Sequence, residues 1–313
     1  MIKHIPVMLK ESINSLNVKK NGIYIDATYG CGGHTKLILS KLGEKGRIYA
    51  VDCDIKTILF NKIIDKRIIY INEKFSNLIN ILDSKVLGTI DGILFDLGFS
   101  SFQLNDPKRG FSFISNGPLD MRFNQSNGIT AAQWIQKVSK DKLSYVLKKY
   151  GEEKFAKKIA CNIKQYIKKN KLNNTIDLSK LICSIVYKFK KNKKKYKHPA
   201  TRSFQAIRIF INKELEELKK ALYNSLRILK KGGIISVISF HSLEDRIIKK
   251  FMKMHSINND KYHFGVPLTE KEINNLSKKN YKLKIINRIF PNPKEIYNNP
   301  RSRSAILRVG QKI

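Results

Sequence analysis

Acidic residues are scarce in this chain: Asp and Glu number 25 against 61 Lys and Arg, a formal net charge of +36 over 313 residues. Such an imbalance favours a polyanionic partner at neutral pH. Lys, Ile and Asn are over-used together, however, as an AT-rich coding sequence would dictate, so charge by itself identifies no function. Cysteine is equally sparse. Cys31, Cys53, Cys161 and Cys183 are scattered without any C-x-x-C spacing, which argues against a disulfide framework or a metal site and fits a reducing compartment. Long apolar runs are missing too: none approaches the ~18 residues of a membrane span, and the opening MIKHIPVMLKESI lacks the uninterrupted core of a signal peptide. A soluble cytoplasmic protein with no membrane attachment is expected.

What is present is a rhythm of short β-branched runs: IYIDA (23–27), RIYAVD (47–52), RIIYI (67–71) and DGILFDLG (91–98). Each has the length of a buried strand, and segments such as TKLILSKL between them suit helices, so the first hundred residues read as parallel βαβ units. After Gly98 comes a loop-like stretch with Pro107, Gly110, Gly117 and Pro118, then helical stripes without strands. Phe155, Ile159, Ile163 and Ile167 form one stripe, and Leu178, Leu181, Ile182, Ile185 and Val186 a second, with Asp177 placed to cap it. A long amphipathic helix carrying Leu215 to Leu229 is expected to stop at KKGG, where Gly232 or Gly233 takes a left-handed cap. A buried strand IISVISF (234–240) follows, and LKIINRIF (283–290) with SAILRVG (304–310) reads as an antiparallel pair closing the sheet. KFKKNKKKYK (188–197) reads as a solvated loop.

The stretch YIDATYGCGGH raises the chemical question. A strand ending in Asp26 and turning through Gly30, Gly32 and Gly33 into a helix lets a ligand approach bare backbone. Thr35 stands where a dinucleotide fingerprint requires its third glycine, which disfavours a dehydrogenase. Asp52, about 20 residues on at the end of the second strand, suits the hydroxyls of an adenosyl ribose. Asp96, ending the fourth strand, lies at the open crevice of a doubly wound sheet, either capping a helix or accepting from an amine. Ser100 has no basic partner nearby in sequence and is a poor nucleophile candidate.

YIDATYGCGGH, DGILFDLGFSS, RGFSF, GPLDMRF, YGEEKFAKKIA, HPATRSFQAIRIFINKELEEL, SFHSLEDRIIK and NPRSRSAILR together resemble the RsmH (MraW) family, in order along nearly the whole chain. The resemblance implies an α/β class I S-adenosylmethionine-dependent methyltransferase (Rossmann-like) sheet with an inserted helical domain: residues 1–105 and 200–313 for the methyltransferase domain, 106–199 for the substrate-recognition insert. It implies S-adenosyl-L-methionine as cofactor, with Gly32, Gly33, His34, Asp52, Phe75, Asp96 and Gln103 around it, and no metal. Its activity would be methylation of the exocyclic N4 of a decoding-centre cytosine in 16S rRNA of the small ribosomal subunit. Cys31 stands where the family usually carries a basic residue, and Phe99 where it often carries Val.

A cytosine amine is a weak nucleophile because its lone pair is delocalised into the ring, so transfer needs hydrogen-bond acceptors and in-line placement. Asp96 is the candidate acceptor. The tetrad (D/N/S)-P-P-(Y/F) of other amino-methyltransferases is absent, DLGF keeping only its first and last types, which disfavours a DNA amine methyltransferase. For an RNA surface the candidates are Arg109, Arg122, Arg202, Arg208, Arg246, Arg301 and Arg303, because this chain uses arginine sparingly and drift explains arginines less well than lysines. Phe111 and Phe113 either stack on bases or anchor their loop. His241 and His198 read as hydrogen-bonded structural histidines, with a proton relay the other reading of His241. The competing functional class is a non-catalytic basic RNA-binding assembly factor on the same fold.

Overall fold

The computed structural model describes residues 5–189, 198–256 and 282–313. The lysine-rich tract read as a loop falls outside them from residue 190 onward. Among the described residues no helix is long and apolar enough to cross a membrane.

Seven strands form one sheet: β1 (Ile23–Asp26), β2 (Arg47–Asp52), β3 (Ile68–Asn72), β4 (Ile90–Asp96), β5 (Leu229–Ser239), β6 (Leu283–Ile289) and β7 (Ile306–Lys312), in the order β3-β2-β1-β4-β5-β7-β6. The pairings from β3 through to β5 are parallel, and β7 runs antiparallel to both β5 and β6. This is the class I methyltransferase arrangement expected from the sequence, closed by the expected antiparallel pair. The central strands are apolar on both faces because helices cover both. Tyr24 packs with Ile13, Ile38 and Leu94 on one face, while its neighbour Ile25 packs with Phe95, Leu222 and Val237 on the other. Each such burial contributes about 1.5–3 kcal/mol.

The chain divides into two compact units: Met1–Gly98 with Leu215–Ile313, which holds the sheet, and Phe99–Glu214. The second is wider at both ends than the insert expected over 106–199. Helix Thr201–Asn212 joins it because Gly151, ending helix Lys140–Gly151, lets that helix approach closely: a Cβ there would lie 2.5 Å from the Arg202 carbonyl oxygen. The same helix supplies Phe210, whose ring lies 4.5 Å from that of Trp134.

Two local expectations are corrected. Helix Glu214–Ile228 does not run to KKGG; β5 starts at the next residue, Leu229. Pairing with β4 jumps from Ile90–Leu229 to Gly92–Ile234, so KKGG is a bulge inside the strand. Gly232 does take a left-handed φ of 79°, but to turn that bulge. Asp177 does not cap helix Thr175–Phe189. Asn174 does, its Oδ1 accepting from the Asp177 amide at 2.8 Å while its Nδ2 donates to the Asp177 carboxylate.

Candidate active site

The loop after β1 is held from below by Asp26. Its Oδ2 accepts from the Thr35 hydroxyl at 2.7 Å and its Oδ1 from the Thr28 amide at 3.3 Å. Burial raises its pKa to about 6 against those two bonds. Gly30 and Gly32 adopt φ of 52° and 72°, where a Cβ is strained. Packing gives a further reason for bare backbone. A Cβ on Gly33 would fall 2.2 Å from Pro6 Cγ, and one on Gly32 2.8 Å from the Tyr29 hydroxyl.

Asp52, at the end of β2, is bonded directly to that loop. Its Oδ2 accepts from the Gly30 amide at 3.0 Å, and its Oδ1 from the Asp54 amide at 2.9 Å. Each oxygen keeps a second lone pair for a hydroxyl donor. Desolvation pushes Asp52 up to about 7, with the nearby Asp54 and Asp26 carboxylates adding to the push and the two amide bonds opposing it. Asp54 itself caps helix Ile55–Phe60 through the Lys56 amide.

Asp96, at the end of β4, donates its amide to the Thr28 hydroxyl at 2.7 Å. Although 22 % of its side chain is open, Oδ1 is covered and accepts no hydrogen bond among the described residues. Oδ2 lies 3.8 Å from His34 Nδ1. Desolvation first, then the Asp26 and Glu244 carboxylates, hold Asp96 well above the usual carboxylate range. The buried His34 ring is 3.2 Å from the Val7 carbonyl through Nε2. A carbonyl only accepts, so Nε2 carries the proton and Nδ1 presents a lone pair towards Asp96. Burial lowers His34 to about 4. Glu244, which sequence reasoning missed, is buried, and its Oε2 accepts from the Phe240 and His241 amides. It forms a capping box with His241 at the start of helix Ser242–His255. The available signal was the x-x-E spacing of a capping box, hidden because His rather than Ser or Thr occupies the cap.

A sequence model described as the MraW methylase family matches residues 1–313. The chain belongs to the MraW methylase family. As a family member it is a methyltransferase whose cofactor is S-adenosyl-L-methionine. It is 53 % identical over 312 residues to "Ribosomal RNA small subunit methyltransferase H" of Buchnera aphidicola subsp. Schizaphis graminum, covering 99 % of this chain and 98 % of that one. The protein of the same name from Buchnera aphidicola subsp. Acyrthosiphon pisum (strain Tuc7) is 51 % identical over 313 residues, with the same coverage. Among solved structures, an rRNA methylase from Streptococcus thermophilus aligns over 100 % of this chain and 99 % of that one, with 11 % identity and a TM-score of 0.40.

Within this methylase, the sheet-bearing unit holds Gly32, Gly33, His34, Asp52, Phe75 and Asp96. Phe75 packs edge-on against Phe95, 5.7 Å between centroids, at the border of the core. Gln103 lies in the other unit, buried, where its Oε1 accepts from the Ser100 amide and its own amide donates to the Ser100 hydroxyl. Ser100 is thereby a helix cap, in keeping with its weak claim as a nucleophile.

The seven arginines divide. Arg109 is buried and donates to the carbonyls of Arg122 and Phe123. Arg208 is forked onto Glu214, both contacts 2.8 Å, with its guanidinium 4.7 Å from the Phe99 ring. Arg122 pairs in two-pronged fashion with Asp120. Arg109 and Arg208 are buried and Arg122 is half-buried, and all three are spent on partners within the fold, a correction to the expectation of an RNA surface there. Arg202, Arg246, Arg301 and Arg303 are exposed. Phe111 is buried between Phe99 and Phe123, and Phe113 stacks on His198 at 4.6 Å, so both anchor their loop.

Proposed function

We propose that this methyltransferase places a methyl group on the exocyclic N4 of a decoding-centre cytosine in 16S rRNA, within the small ribosomal subunit. The relatives' shared name supports the RNA class. The observation that carries the reading is the covered, unpartnered Oδ1 of Asp96 beside the glycine loop. An acceptor left bare in a covered site costs about 1–3 kcal/mol, and an incoming N–H removes that cost.

The residues fit S-adenosyl-L-methionine. Asp52 has lone pairs for two ribose hydroxyls at the end of β2, beside the left-handed turn of Gly30 and Gly32. The cofactor supplies an electrophilic methyl group on a sulfonium. Asp96 accepts an N–H of the cytosine amine, which draws the nitrogen lone pair out of conjugation, and then takes the proton that the alkylated nitrogen sheds. Its raised pKa suits it to hold that proton. His34 Nδ1 offers a second acceptor nearby, so the two hydrogens of one amine have two destinations. Arg202, Arg246, Arg301 and Arg303 take RNA phosphates.

The test is methyl transfer from labelled cofactor to small subunits prepared from cells lacking this activity, with the product mapped by nuclease digestion and mass spectrometry. N4-methylcytidine at one position supports the reading. A methyl group on a ring carbon, or none on RNA while cofactor binds, overturns it.

A further inference from the structure

Of the connection between β6 and β7 only Arg301 and Arg303 enter the reading above, yet the whole connection opens on the same edge of the sheet. Asp96 on β4 pairs with Ile238 on β5, Ile238 with Leu307 on β7, and Leu307 with Ile289 on β6. Residues 290–305 therefore emerge level with the carboxyl end of β4, the edge at which ligands bind in such sheets.

Polar anchors hold this connection in place, with Ala305 at its end packed in the cluster of Val7 and Met8. Its helix, Pro293–Asn298, buries no residue. Instead Asn292 Oδ1 accepts from the Glu295 amide, Glu295 Oε1 accepts from the Met8 amide at 2.6 Å, and Asn299 Nδ2 donates to the Ile5 carbonyl at 3.0 Å. Asn299 and Ser302 are buried, joined through the Ser302 hydroxyl and the Asn299 carbonyl. The same segment, Ile5 to Met8, backs the glycine loop through Pro6 against Gly33 and the Val7 carbonyl against His34. The connection and the cofactor loop thus share one support.

What the anchored segment displays is planar and basic. Tyr297 is 86 % exposed and Phe290 54 % exposed. The Arg288 guanidinium lies over the Phe290 ring at 4.6 Å. Lys294, Arg301 and Arg303 are exposed as well, and the only carboxylate between residues 288 and 303, Glu295, is spent on the Met8 amide. Exposed rings ordinarily weaken solubility, and Tyr297 contributes almost nothing to packing.

We infer that the β6–β7 connection is a platform for single-stranded RNA beside the reacting base, with bases stacking on Tyr297 and on the Arg288–Phe290 pair and phosphates on Arg301 and Arg303. Unpaired bases are recognised by such aromatic and guanidinium planes, and a positive rim complements phosphate rather than a neutral protein surface. The inference rests on the reading that the substrate is RNA, and it adds the residues that grip the nucleotides flanking the target.

The test uses the full-length protein and a fluorescent single-stranded oligoribonucleotide carrying the target cytosine with its flanks. Tyr297→Ala is expected to raise the Kd for that oligonucleotide about tenfold, the usual loss for one stacked base. It should raise KM for methyl transfer more than it lowers kcat, and leave the affinity for S-adenosylhomocysteine, measured by calorimetry, unchanged. Tyr297→Phe should restore RNA affinity. Arg301→Ala and Arg303→Ala should each flatten the salt dependence by about 0.7 in log–log slope. Ultraviolet cross-linking should place RNA on the Tyr297 peptide. Unchanged RNA affinity in Tyr297→Ala with no such cross-link, while the wild type methylates RNA, refutes the platform and leaves the proposed activity standing. A wild type that methylates no RNA refutes the activity itself. Loss of a ribosomal protein from Tyr297→Ala complexes, with affinity for the oligonucleotide intact, makes this a protein-docking surface and also overturns the platform.

Discussion

His34 Nδ1 faces Asp96 Oδ2 across 3.8 Å, its lone pair turned towards the carboxyl group. With Nε2 committed to the Val7 carbonyl, the imidazole has no proton to offer Asp96. Long-range nitrogen–proton NMR should therefore find His34 as the Nε2–H tautomer and neutral down to about pH 4, the value to which burial lowers it. An imidazolium at pH 6 would contradict this arrangement.

Removing the charge from Asp96 separates chemistry from binding. Asp96→Asn keeps the shape but turns one acceptor oxygen into a donor, so methyl transfer should fall about 10²-fold or more. Single-turnover assays with saturating RNA check this. Equal rates for the variant and the wild type would remove Asp96 from the reaction.

Asp26 and Asp52 sit at about 6 and about 7, against 3.8 for a free aspartate. Between pH 4 and 7 the folded chain thus binds more protons at these sites than the unfolded one, and their contribution to stability falls as pH rises through that window. His34, lowered to about 4 from 6.5, contributes in the opposite sense between those values. Asp52→Asn should flatten the wild-type decline in Tm between pH 5 and 7.5, by a few degrees on the order expected for 1 kcal/mol. With the ribose placed at Asp52 as proposed, its hydroxyls would donate to the ionised carboxylate, so calorimetry should show binding tightening as pH rises through about 7 and lost in Asp52→Ala.

Gly33→Ala drives a methyl group into Pro6. Relief requires shifting Ile5 to Met8, so the variant should lose about 1–3 kcal/mol in denaturant unfolding and bind cofactor more weakly. An alanine at Gly88, where a Cβ meets no atom within 4 Å, is the control for added bulk; its φ of 79° makes the cost purely conformational, about 1 kcal/mol.

The two classes of arginine should separate experimentally. Arg109→Ala leaves the Arg122 and Phe123 carbonyls without their donor and should cost about 1–3 kcal/mol of stability. Arg246→Ala, at an exposed site, should leave the unfolding midpoint within about 0.5 kcal/mol while weakening RNA binding in a salt-dependent way. Parallel melts and filter-binding titrations distinguish them.

The strands were legible because each is a short β-branched apolar run bounded by turn or polar residues, the central ones β1 and β4 being buried on both faces, and Asp52 was legible because its distance from the glycines is set by one βα unit. Side-chain partners were not. Arg109 and Arg246 look alike in sequence, and only the fold shows that one is buried among carbonyls and the other lies at an exposed site. Asp177 was a reasonable cap by residue type, but Asn174 precedes it and reaches the orphan amide first. KKGG misled for a related reason: a positive-φ glycine ends a helix or turns a bulge with the same chemistry, and the choice lies with β4, which pairs with Leu229 before the glycines arrive.

The bond from the Met8 amide to Glu295 joins residues 287 positions apart. During biosynthesis Met8 leaves the ribosome long before Glu295 exists, so the floor under His34 and Gly33 waits for the β6–β7 connection to be made. Contacts of such sequence separation form late and slowly. A product truncated ahead of Glu295 would carry every glycine and aspartate of the loop after β1 and still lack the brace behind them, which ties that loop's support to synthesis of the β6–β7 connection.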